Sequence, residues 1–329
     1  MKLLVVGDFK SNTGPASVNK SLLKASNGDI LYTKQKSIFN RIIELTTKTI
    51  RAKYIVFSGI SKINIIGIIL CKILNKKSAY LMHGCLEYED YINGITDVKG
   101  KKLERKILEF APKIICVSEQ FCIWCKERYP KYEKKITFVN NGIDWDDVYE
   151  KNKYNFQRDS HTILSVGGGM PRKNIKMISK AIIQINKENM DSKPLKLIVI
   201  GKEGSDIDEI KNNPYVEYIS EVSYQDMKFY YNKSSLYIQN SIFETFGLAP
   251  IEALVNGNSI LISRFVGSIS IFNDIDKKYI IENPKDINEI KEKILNVLAN
   301  PNNNLLMQNI DKNKTSIYSA LENLIKTIN

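Results

Sequence analysis

Short apolar runs alternate with amphipathic stretches through the first half of the chain. Helical periodicity covers Val18–Ala25, Ile63–Leu74 and Lys101–Glu109. Between and around these stretches lie the apolar runs Leu3–Val6, Tyr54–Phe57, Ser78–Met82 and Lys113–Val117. Apolar runs of this length between polar turns predict buried strands, and their alternation with helices predicts a parallel, doubly wound sheet. Residues 1–150 are therefore predicted to form one Rossmann-like domain.

The same alternation starts again after a polar, hydrophobe-poor link at residues 151–160. A helix is predicted at Ile175–Ile185, and strands at His161–Val166, Leu195–Gly201, Val216–Ile219, Leu236–Ile238 and Ser259–Ile262. The predicted fold class is thus α/β with two doubly wound Rossmann-like domains, the second spanning residues 151–310. Two such domains face a central cleft, where α/β proteins commonly bind ligands.

Cysteine usage and the length of the apolar runs indicate the compartment. Five cysteines are an odd number for a disulfide framework, and Cys122-x-x-Cys125 lacks the second pair that would complete a metal site. These thiols are predicted to be buried and inert. No signal-peptide pattern begins the chain, and the longest apolar run, Ile63–Cys71, is far shorter than the ~20 residues of a membrane span. We expect a soluble, cytoplasmic chain.

The net charge of +12 lies mainly in the first half. Residues 1–150 hold 25 Lys and Arg against 16 Asp and Glu, a balance of +9, whereas the rest holds 23 against 20, a balance of +3. This excess suggests an anionic partner, either nucleic acid, an acidic substrate or an anionic membrane. No helix-turn-helix, zinc-finger or RNP-like pattern is present, so no nucleic-acid partner is expected. A genome that favours Lys, Asn and Ile is the alternative explanation.

The most informative stretch is residues 241–263, SIFETFGLAPIEALVNGNSILIS. Pro250 is favoured in the first turn of a helix, so the Gly247-Leu248 amides would lie at that helix's N-terminus, where free donors and the helix dipole attract an anion. Gly247 also lets the backbone approach the anion closely. Glu244 precedes the helix and Glu252 lies about one turn inside it. Two acceptors flanking an anion site suit a nucleotide-sugar, which has hydroxyls on either side of its phosphates.

This stretch resembles the retaining GT-B glycosyltransferases of glycosyltransferase family 4, which carry Glu-x7-Glu with Phe-Gly-Leu between the carboxylates. The resemblance implies that Glu244 contacts the donor sugar and that Glu252 contacts the nucleotide ribose. The backbone amides of Phe246, Gly247 and Leu248 would hold the diphosphate. The family usually has a glycine after its first glutamate, where this chain has a threonine. The resemblance extends over nearly the whole chain.

A second matching segment is SVGGGMPRKN, residues 165–174. Lys173 falls on the family's diphosphate-binding lysine. The family's arginine after the first glycine is replaced by Gly168, and Arg172 can take over because a guanidinium binds phosphate in a bidentate way. Arg172 and Lys173 are therefore expected to bind the donor phosphates, and an ordinary solvated loop is the alternative.

Further positions match the family in the first domain. His83 follows the strand Ser78–Met82 at a place where the family often has a histidine close to the reacting sugar, although a structural histidine is the alternative. The loop Asp8–Ala16, which contains Gly14, matches the family's glycine-bearing first loop beside the acceptor and diphosphate, and an ordinary β–α connection is the alternative. Asn141–Asp144 resembles the interdomain junction. In the family the final helix commonly crosses back to the first domain, and the resemblance implies this course for residues 311–329.

Two Asp-x-Asp spacings, Asp206-Ile207-Asp208 and Asp274-Ile275-Asp276, match those with which GT-A transferases hold a metal. Neither directly follows a buried strand, so both are interpreted as solvated surface and no metal is expected. The resemblance implies no cofactor besides the nucleotide-sugar co-substrate. Lys173 and the amides near Gly247 would stabilise the leaving group in place of a metal.

The sequence thus predicts a metal-independent hexosyltransferase that moves a sugar, with retention, from a nucleoside diphosphate sugar to a saccharide acceptor. Its expected catalytic residues are His83, Glu244 and Lys173. Family frequency favours UDP over GDP, and bacterial surface polysaccharide or glycoconjugate synthesis is the expected setting. The alternatives are a degenerate, non-catalytic GT-B subunit of another glycosyltransferase, which the missing arginine favours, and a GT-B nucleotide-sugar epimerase.

The basic first half fits a polyprenyl-diphosphate-linked acceptor and peripheral contact with an anionic membrane, at the inner face of the cytoplasmic membrane. A protein or a small sugar is compatible with the sequence as well. The candidate contact is a basic cluster at helical neighbour spacings, Lys99, Lys101, Lys102, Arg105 and Lys106. A solvated helix is the alternative reading of this cluster.

Overall fold

The computed structural model describes residues 3–11, 13–34, 37–150, 158–223 and 226–329. The chain divides into two compact units. The first comprises Met1–Tyr91, Ile95–Asp144 and Lys312–Asn329, and the second comprises Ile92–Gly94 and Trp145–Asp311. Most of the polar link predicted at residues 151–160 lies outside the described residues.

The first unit is built on a six-stranded sheet in which all neighbouring strands are parallel. Its elements in chain order are β1 (Leu3–Val6), α1 (Gly14–Ala25), β2 (Ile30–Tyr32), α2 (Ile38–Arg51), β3 (Tyr54–Ser58), α3 (Lys62–Ile73), β4 (Lys77–Met82), α4 (Leu86–Asn93), α5 (Val98–Phe110), β5 (Ile114–Cys116), α6 (Glu119–Arg128) and β6 (Ile136–Phe138). The spatial order is β2-β1-β3-β4-β5-β6. Every residue of β1 and β3 is buried, as expected for strands covered on both faces.

The second unit repeats this architecture with a second all-parallel sheet of six strands. Its elements are α7 (Trp145–Glu150), β7 (Asp159–Val166), α8 (Ile175–Glu188), β8 (Lys196–Ile200), α9 (Ile207–Lys211), β9 (Val216–Ile219), α10 (Met227–Lys233), β10 (Ser234–Gln239), α11 (Ala249–Val255), β11 (Ser259–Ser263), β12 (Ile280–Ile281), α12 (Ile287–Ala299) and α13 (Asn303–Gln308). The spatial order is β12-β11-β10-β7-β8-β9. The prediction of two doubly wound α/β domains is confirmed.

The last helix, α14 (Ile317–Ile328), belongs to the first unit, where it packs on α1. The chain just before it pairs with Ile143, whose N–H donates to the Thr315 carbonyl at 2.8 Å and whose carbonyl accepts the Ile317 N–H at 3.2 Å. Gly142 is required there, because a Cβ at this position would lie 2.5 Å from the Ile317 Cα. The Asn-Gly motif is therefore tied to the start of α14 and is not an isolated turn.

Two local predictions were wrong. The loop assigned to Asp8–Ala16 ends earlier, because α1 begins at Gly14 and takes Pro15 into its first turn, where a proline removes no helical hydrogen bond. Asp206 is not solvated: its side chain is buried and its Oδ1 accepts from Lys176 Nζ at 2.9 Å. The other three carboxylates of the Asp-x-Asp pairs are exposed, as predicted.

The five cysteines are free and buried, as predicted. Burial raises the pKa of Cys71 to about 11 and that of Cys85 to about 12, which disfavours the reactive thiolate.

Among the described helices, none combines the length and apolar character that crossing a membrane requires.

Candidate functional site

A loop with three consecutive glycines leads from β7 towards α8 and lies directly against the loop that follows β8. Gly168 has a φ of +58°, and a Cβ there would lie 2.0 Å from the carbonyl oxygen of Lys202. A Cβ at Gly169 would lie 2.8 Å from the backbone nitrogen of Gly204. Backbone therefore packs on backbone, and this conformation leaves no room for the arginine that the family carries at position 168.

The same loop carries two adjacent cations. Arg172 and Lys173 end a short 3₁₀ turn, and Asn174 follows in the left-handed conformation (φ +53°), from which α8 starts. The stem of Lys173 covers Gly167, where a Cβ would lie 2.5 Å from Lys173 Cγ. The Arg172 carbonyl accepts the Ile242 N–H at 2.9 Å, which joins this loop to the segment after β10. The two cations are thus held by backbone contacts.

Glu244 lies between these cations in a mostly buried position. Its Oε2 forms ion pairs with Lys173 Nζ and, at 3.5 Å, with Arg172 Nη1, and it accepts from Gln239 Nε2 at 3.1 Å. Burial acts to raise the pKa of Glu244, but the charges of Lys173 and Arg172 outweigh it and lower the pKa below its ordinary value. Glu244 is therefore ionised at neutral pH, and the cluster of two cations and one carboxylate keeps a net charge of +1, which favours an anionic ligand.

The backbone around Glu244 is fixed by residues 265–268, which follow β11. The Glu244 N–H donates to the Phe265 carbonyl at 3.1 Å, and its carbonyl accepts the Gly267 N–H at 3.0 Å. The Phe246 carbonyl accepts the Ser268 N–H at 2.7 Å. The sequence did not predict this contact between residues 265–268 and the Glu244 segment, because it consists of main-chain hydrogen bonds. The one indication in the sequence was Gly267, a glycine shortly after an apolar strand.

The Phe246-Gly247-Leu248 turn and Glu252 continue the same segment into α11. Gly247 has a φ of +85° and packs on the side chain of Glu244, because a Cβ at Gly247 would lie 3.1 Å from Glu244 Cγ. Pro250 lies in the first turn of α11, as predicted. Glu252 follows within this helix, and its Oε2 accepts from the Tyr231 hydroxyl at 3.0 Å. Tyr231 and Gln239 are two side chains of this site that sequence reasoning missed.

The remaining predicted site residues lie in the first unit. His83 directly follows β4, and its Nε2 lies 2.8 Å from the Ser58 Oγ at the end of the neighbouring strand β3. Burial lowers the pKa of His83 to about 4, so the imidazole is neutral at neutral pH. Gly14 is the first residue of α1, and nothing lies within 4 Å of where its Cβ would be. The structure thus brings Arg172, Lys173 and Glu244 into direct contact, whereas Gly14 and His83 lie in the other unit.

No group of three or more His, Cys, Asp or Glu side chains is arranged to hold a metal ion within the described ranges. Asp206, the one buried carboxylate of the two Asp-x-Asp pairs, already pairs with Lys176. The cluster of Arg172, Lys173 and Glu244 carries a net positive charge, which suits a phosphate-bearing ligand.

The architecture defines a GT-B protein, and its second unit carries a cluster of two cations and one carboxylate. Residues 148–316, just over half of the chain, match the family described as glycosyl transferases group 1. The chain belongs to this family.

A curated relative is the O-antigen chain mannosyltransferase RfbU of Salmonella typhimurium, which is 28% identical over 149 residues. This match covers 43% of the present chain and 38% of that protein, so the chain spans well under two thirds of this relative.

Solved structures with the same fold match over the full length. The structure of Anabaena Alr3699/HepE in complex with UDP and glucose matches with a TM-score of 0.67 at 12% identity. The match covers 100% of this chain and 99% of that chain. A trehalose-6-phosphate protein from E. coli bound with UDP-2-fluoro glucose has a TM-score of 0.70 at 10% identity, with 100% of this chain and 99% of that chain covered. At such identities the match concerns the fold alone, and it confirms the predicted GT-B architecture.

Proposed function

We propose that this protein is a glycosyltransferase that moves a sugar from a nucleoside diphosphate sugar to a saccharide acceptor in polysaccharide synthesis. Membership of the group 1 family supports glycosyl transfer, and the relative named as an O-antigen chain mannosyltransferase supports a polysaccharide product. The UDP and UDP-sugar complexes of proteins with this fold favour a UDP-sugar donor. Retention at the anomeric carbon and metal independence are part of the proposal.

The observation that carries this proposal is the partly buried cluster of Arg172, Lys173 and Glu244. As the bond between sugar and diphosphate breaks, negative charge develops on the leaving diphosphate. Lys173 and Arg172 would stabilise that charge, and Glu244 keeps both cations in fixed positions, which is the preorganisation that electrostatic catalysis requires. The Gly247 backbone would approach the diphosphate, Glu244 would also orient the donor sugar, and Glu252 would accept from the ribose hydroxyls.

His83 would contribute from the first unit. Since its pKa is lowered to about 4, it would act as a neutral hydrogen-bonding group beside the reacting sugar and not as a cation. The Ser58 hydroxyl at 2.8 Å would fix the orientation of its ring.

Thermal unfolding with UDP, GDP and ADP tests the donor site, since a ligand of the folded state stabilises it by about 2.7 kcal/mol at a hundred times its Kd. We expect UDP to raise the melting temperature and Lys173→Met to reduce that rise. Lys196→Met, an exposed lysine at the start of β8, is the matched control. If no nucleoside diphosphate stabilises the protein, the donor-site assignment is wrong.

A second candidate function is a non-catalytic GT-B subunit, which the geometry at Gly168 favours. Position 168 cannot carry the family's arginine in this conformation because a Cβ there would lie 2.0 Å from a carbonyl oxygen. Hydrolysis or transfer of a UDP-sugar separates the two functions, because a degenerate subunit would bind the nucleotide without breaking the sugar–phosphate bond.

We also propose that the acceptor is lipid-linked and that the first unit contacts an anionic membrane. Residues 38–86 hold eight Lys and Arg and one acid, Glu44, which pairs with Lys48 at 2.6 Å. Within this segment the adjoining helices α2 and α3 expose two apolar stripes, Phe39, Ile43 and Ile50 on α2 and Ile66, Ile69 and Ile73 on α3. An apolar surface with basic flanks suits a bilayer with anionic headgroups, whereas two copies of the chain would bring like charges together.

The basic cluster on α5 contributes less than its sequence suggests. Arg105 pairs with Glu87 at 2.5 Å, and Lys101 lies 3.9 Å from Asp90. The three other lysines of the cluster are exposed at positions i, i+3 and i+7, and they are Lys99, Lys102 and Lys106. Because α5 packs beside α3, these lysines can extend the basic flank of the α2–α3 surface.

A further inference from the structure

Glu104 is a buried carboxylate of the first unit for which the proposed reaction gives no role. It lies in the middle of α5 with no exposed surface. Its Oε1 accepts the Leu86 N–H at 2.9 Å, and its Oε2 accepts the Glu87 N–H at 3.0 Å. Leu86 and Glu87 are the first two residues of α4, whose N–H groups have no partner within the helix. Glu104 therefore caps α4 from another helix, 18 residues further along the chain.

This cap determines where the loop between β4 and α4 ends. The loop is only His83, Gly84 and Cys85, so a fixed strand end and a fixed helix start leave it little freedom. Gly84 packs against Glu89, because a Cβ at Gly84 would lie 2.3 Å from Glu89 Oε1. The Cys85 Sγ lies 3.1 Å from the Tyr129 hydroxyl. His83 is thus held by Ser58 on one side and by the Glu104 cap three residues later.

We propose that Glu104 is the positioning residue of the His83 loop, because its carboxylate fixes the first turn of α4 and thereby the imidazole at the carboxyl end of β4. Its effect on sugar transfer rests on the function proposed above, whereas its effect on His83 does not. A carboxylate accepts two charge-assisted hydrogen bonds in this geometry, and a neutral side chain would hold the same amides less strongly.

The electrostatic surroundings make this cap sensitive near neutral pH. Burial raises the pKa of Glu104 to about 7, although its two backbone hydrogen bonds act in the opposite direction. The other titratable or charged groups that face it are Tyr80 on β4, Cys85 in the loop, Glu87 and Glu89 on α4, Arg105 on α5, Cys125 on α6, and Tyr129 after α6. The pKa of Cys85 is raised to about 12 and that of Glu87 is lowered, so neither titrates together with Glu104.

The chain has two histidines, which makes His83 directly observable. In the His161→Gln variant the remaining imidazole signals in a ¹⁵N–¹H NMR spectrum come from His83. We expect these signals and the Leu86 and Glu87 amide signals to shift together with a midpoint near pH 7, although His83 itself titrates near pH 4. Glu104→Gln should abolish the shared step, and Glu109→Gln, an exposed glutamate of the same helix, should keep it.

A shared step that persists in Glu104→Gln would overturn the proposal, and so would imidazole signals that stay unchanged while the Leu86 and Glu87 amide signals titrate. The second result is read in the His161→Gln variant with Glu104 intact, so the proposal can be tested even where Glu104→Gln does not fold.

Kinetics distinguish this proposal from the proposed function. Glu104→Gln is expected to lower kcat about ten- to a hundredfold, since small displacements of a reacting group have effects of this size, with the KM for the donor unchanged. An unchanged kcat would show that the cap does not position a reacting group. If the parent protein transfers no sugar, the proposed function fails while the NMR experiment still decides whether Glu104 positions His83.

Discussion

Glu252→Gln tests the nucleotide site with a nearly isosteric change. Glu252 lies in α11, and one of its carboxylate oxygens accepts from the Tyr231 hydroxyl at 3.0 Å. The tyrosine fixes the orientation of the carboxylate, and the second oxygen would accept from the ribose hydroxyls. Glutamine keeps the shape of the side chain and loses the charge together with one of the two acceptors.

The expected loss follows from the type of hydrogen bond. Bonds to a charged group contribute about 1.5–3 kcal/mol, and each 1.4 kcal/mol changes an affinity tenfold. The Kd for UDP should therefore rise roughly ten- to 150-fold in Glu252→Gln. Tyr231→Phe removes only the group that orients the carboxylate, so a smaller rise of roughly two- to tenfold is expected from the loss of about 0.5–1.5 kcal/mol.

Isothermal titration calorimetry with UDP and GDP measures these constants directly. Glu292→Gln, which changes an exposed glutamate of α12 in the same unit, is the matched control and should bind like the parent protein. Unchanged affinity for both nucleotides in a folded Glu252→Gln variant would refute the ribose assignment. An equal loss in the control would point to a general charge effect.

Three further outcomes are expected. Sugar transfer should persist in excess EDTA, because Arg172 and Lys173 supply the positive charge, and activity that is lost in chelator and restored by Mn²⁺ would contradict this. Gly168→Ala should lower the free energy of unfolding, measured in urea, by at least about 2 kcal/mol, because the alanine would adopt a left-handed φ and its Cβ would clash with the Lys202 carbonyl. Gly14→Ala is the control and should change this free energy little, because no atom lies within 4 Å of the added Cβ. Finally, the protein should co-sediment with phosphatidylglycerol vesicles at low salt and be released near 1 M salt. A double variant, Ile66→Ser with Ile69→Ser, should bind these vesicles less. Parent protein that stays in the supernatant at low salt would rule out the membrane surface.

Much of the fold could be predicted from the order of residues because the central strands are fully buried. A strand covered on both faces is apolar along most of its length, so the run Leu3–Val6 and the start of β11 at Ser259 coincide with the observed strands. The turn before α11 was equally predictable. Proline and glycine restrict the backbone locally, so the helix start at Ala249 and the end near Gly257, with its φ of +83°, are properties of the local sequence.

Other features depend on contacts between residues that are far apart in the chain. The apolar residues of α3 occur on all sides of the helix, so periodicity could not show which of them stay exposed; the packing of α2 and α5 beside α3 decided that. The burial of Asp206 depends on Lys176, and the charge state of Glu244 depends on cations about 70 residues away. Likewise Glu104 is an ordinary glutamate in sequence and a buried cap in the fold. Electrostatic and hydrogen-bond energies fall steeply with distance, and only the folded chain brings these groups within a few ångströms of each other.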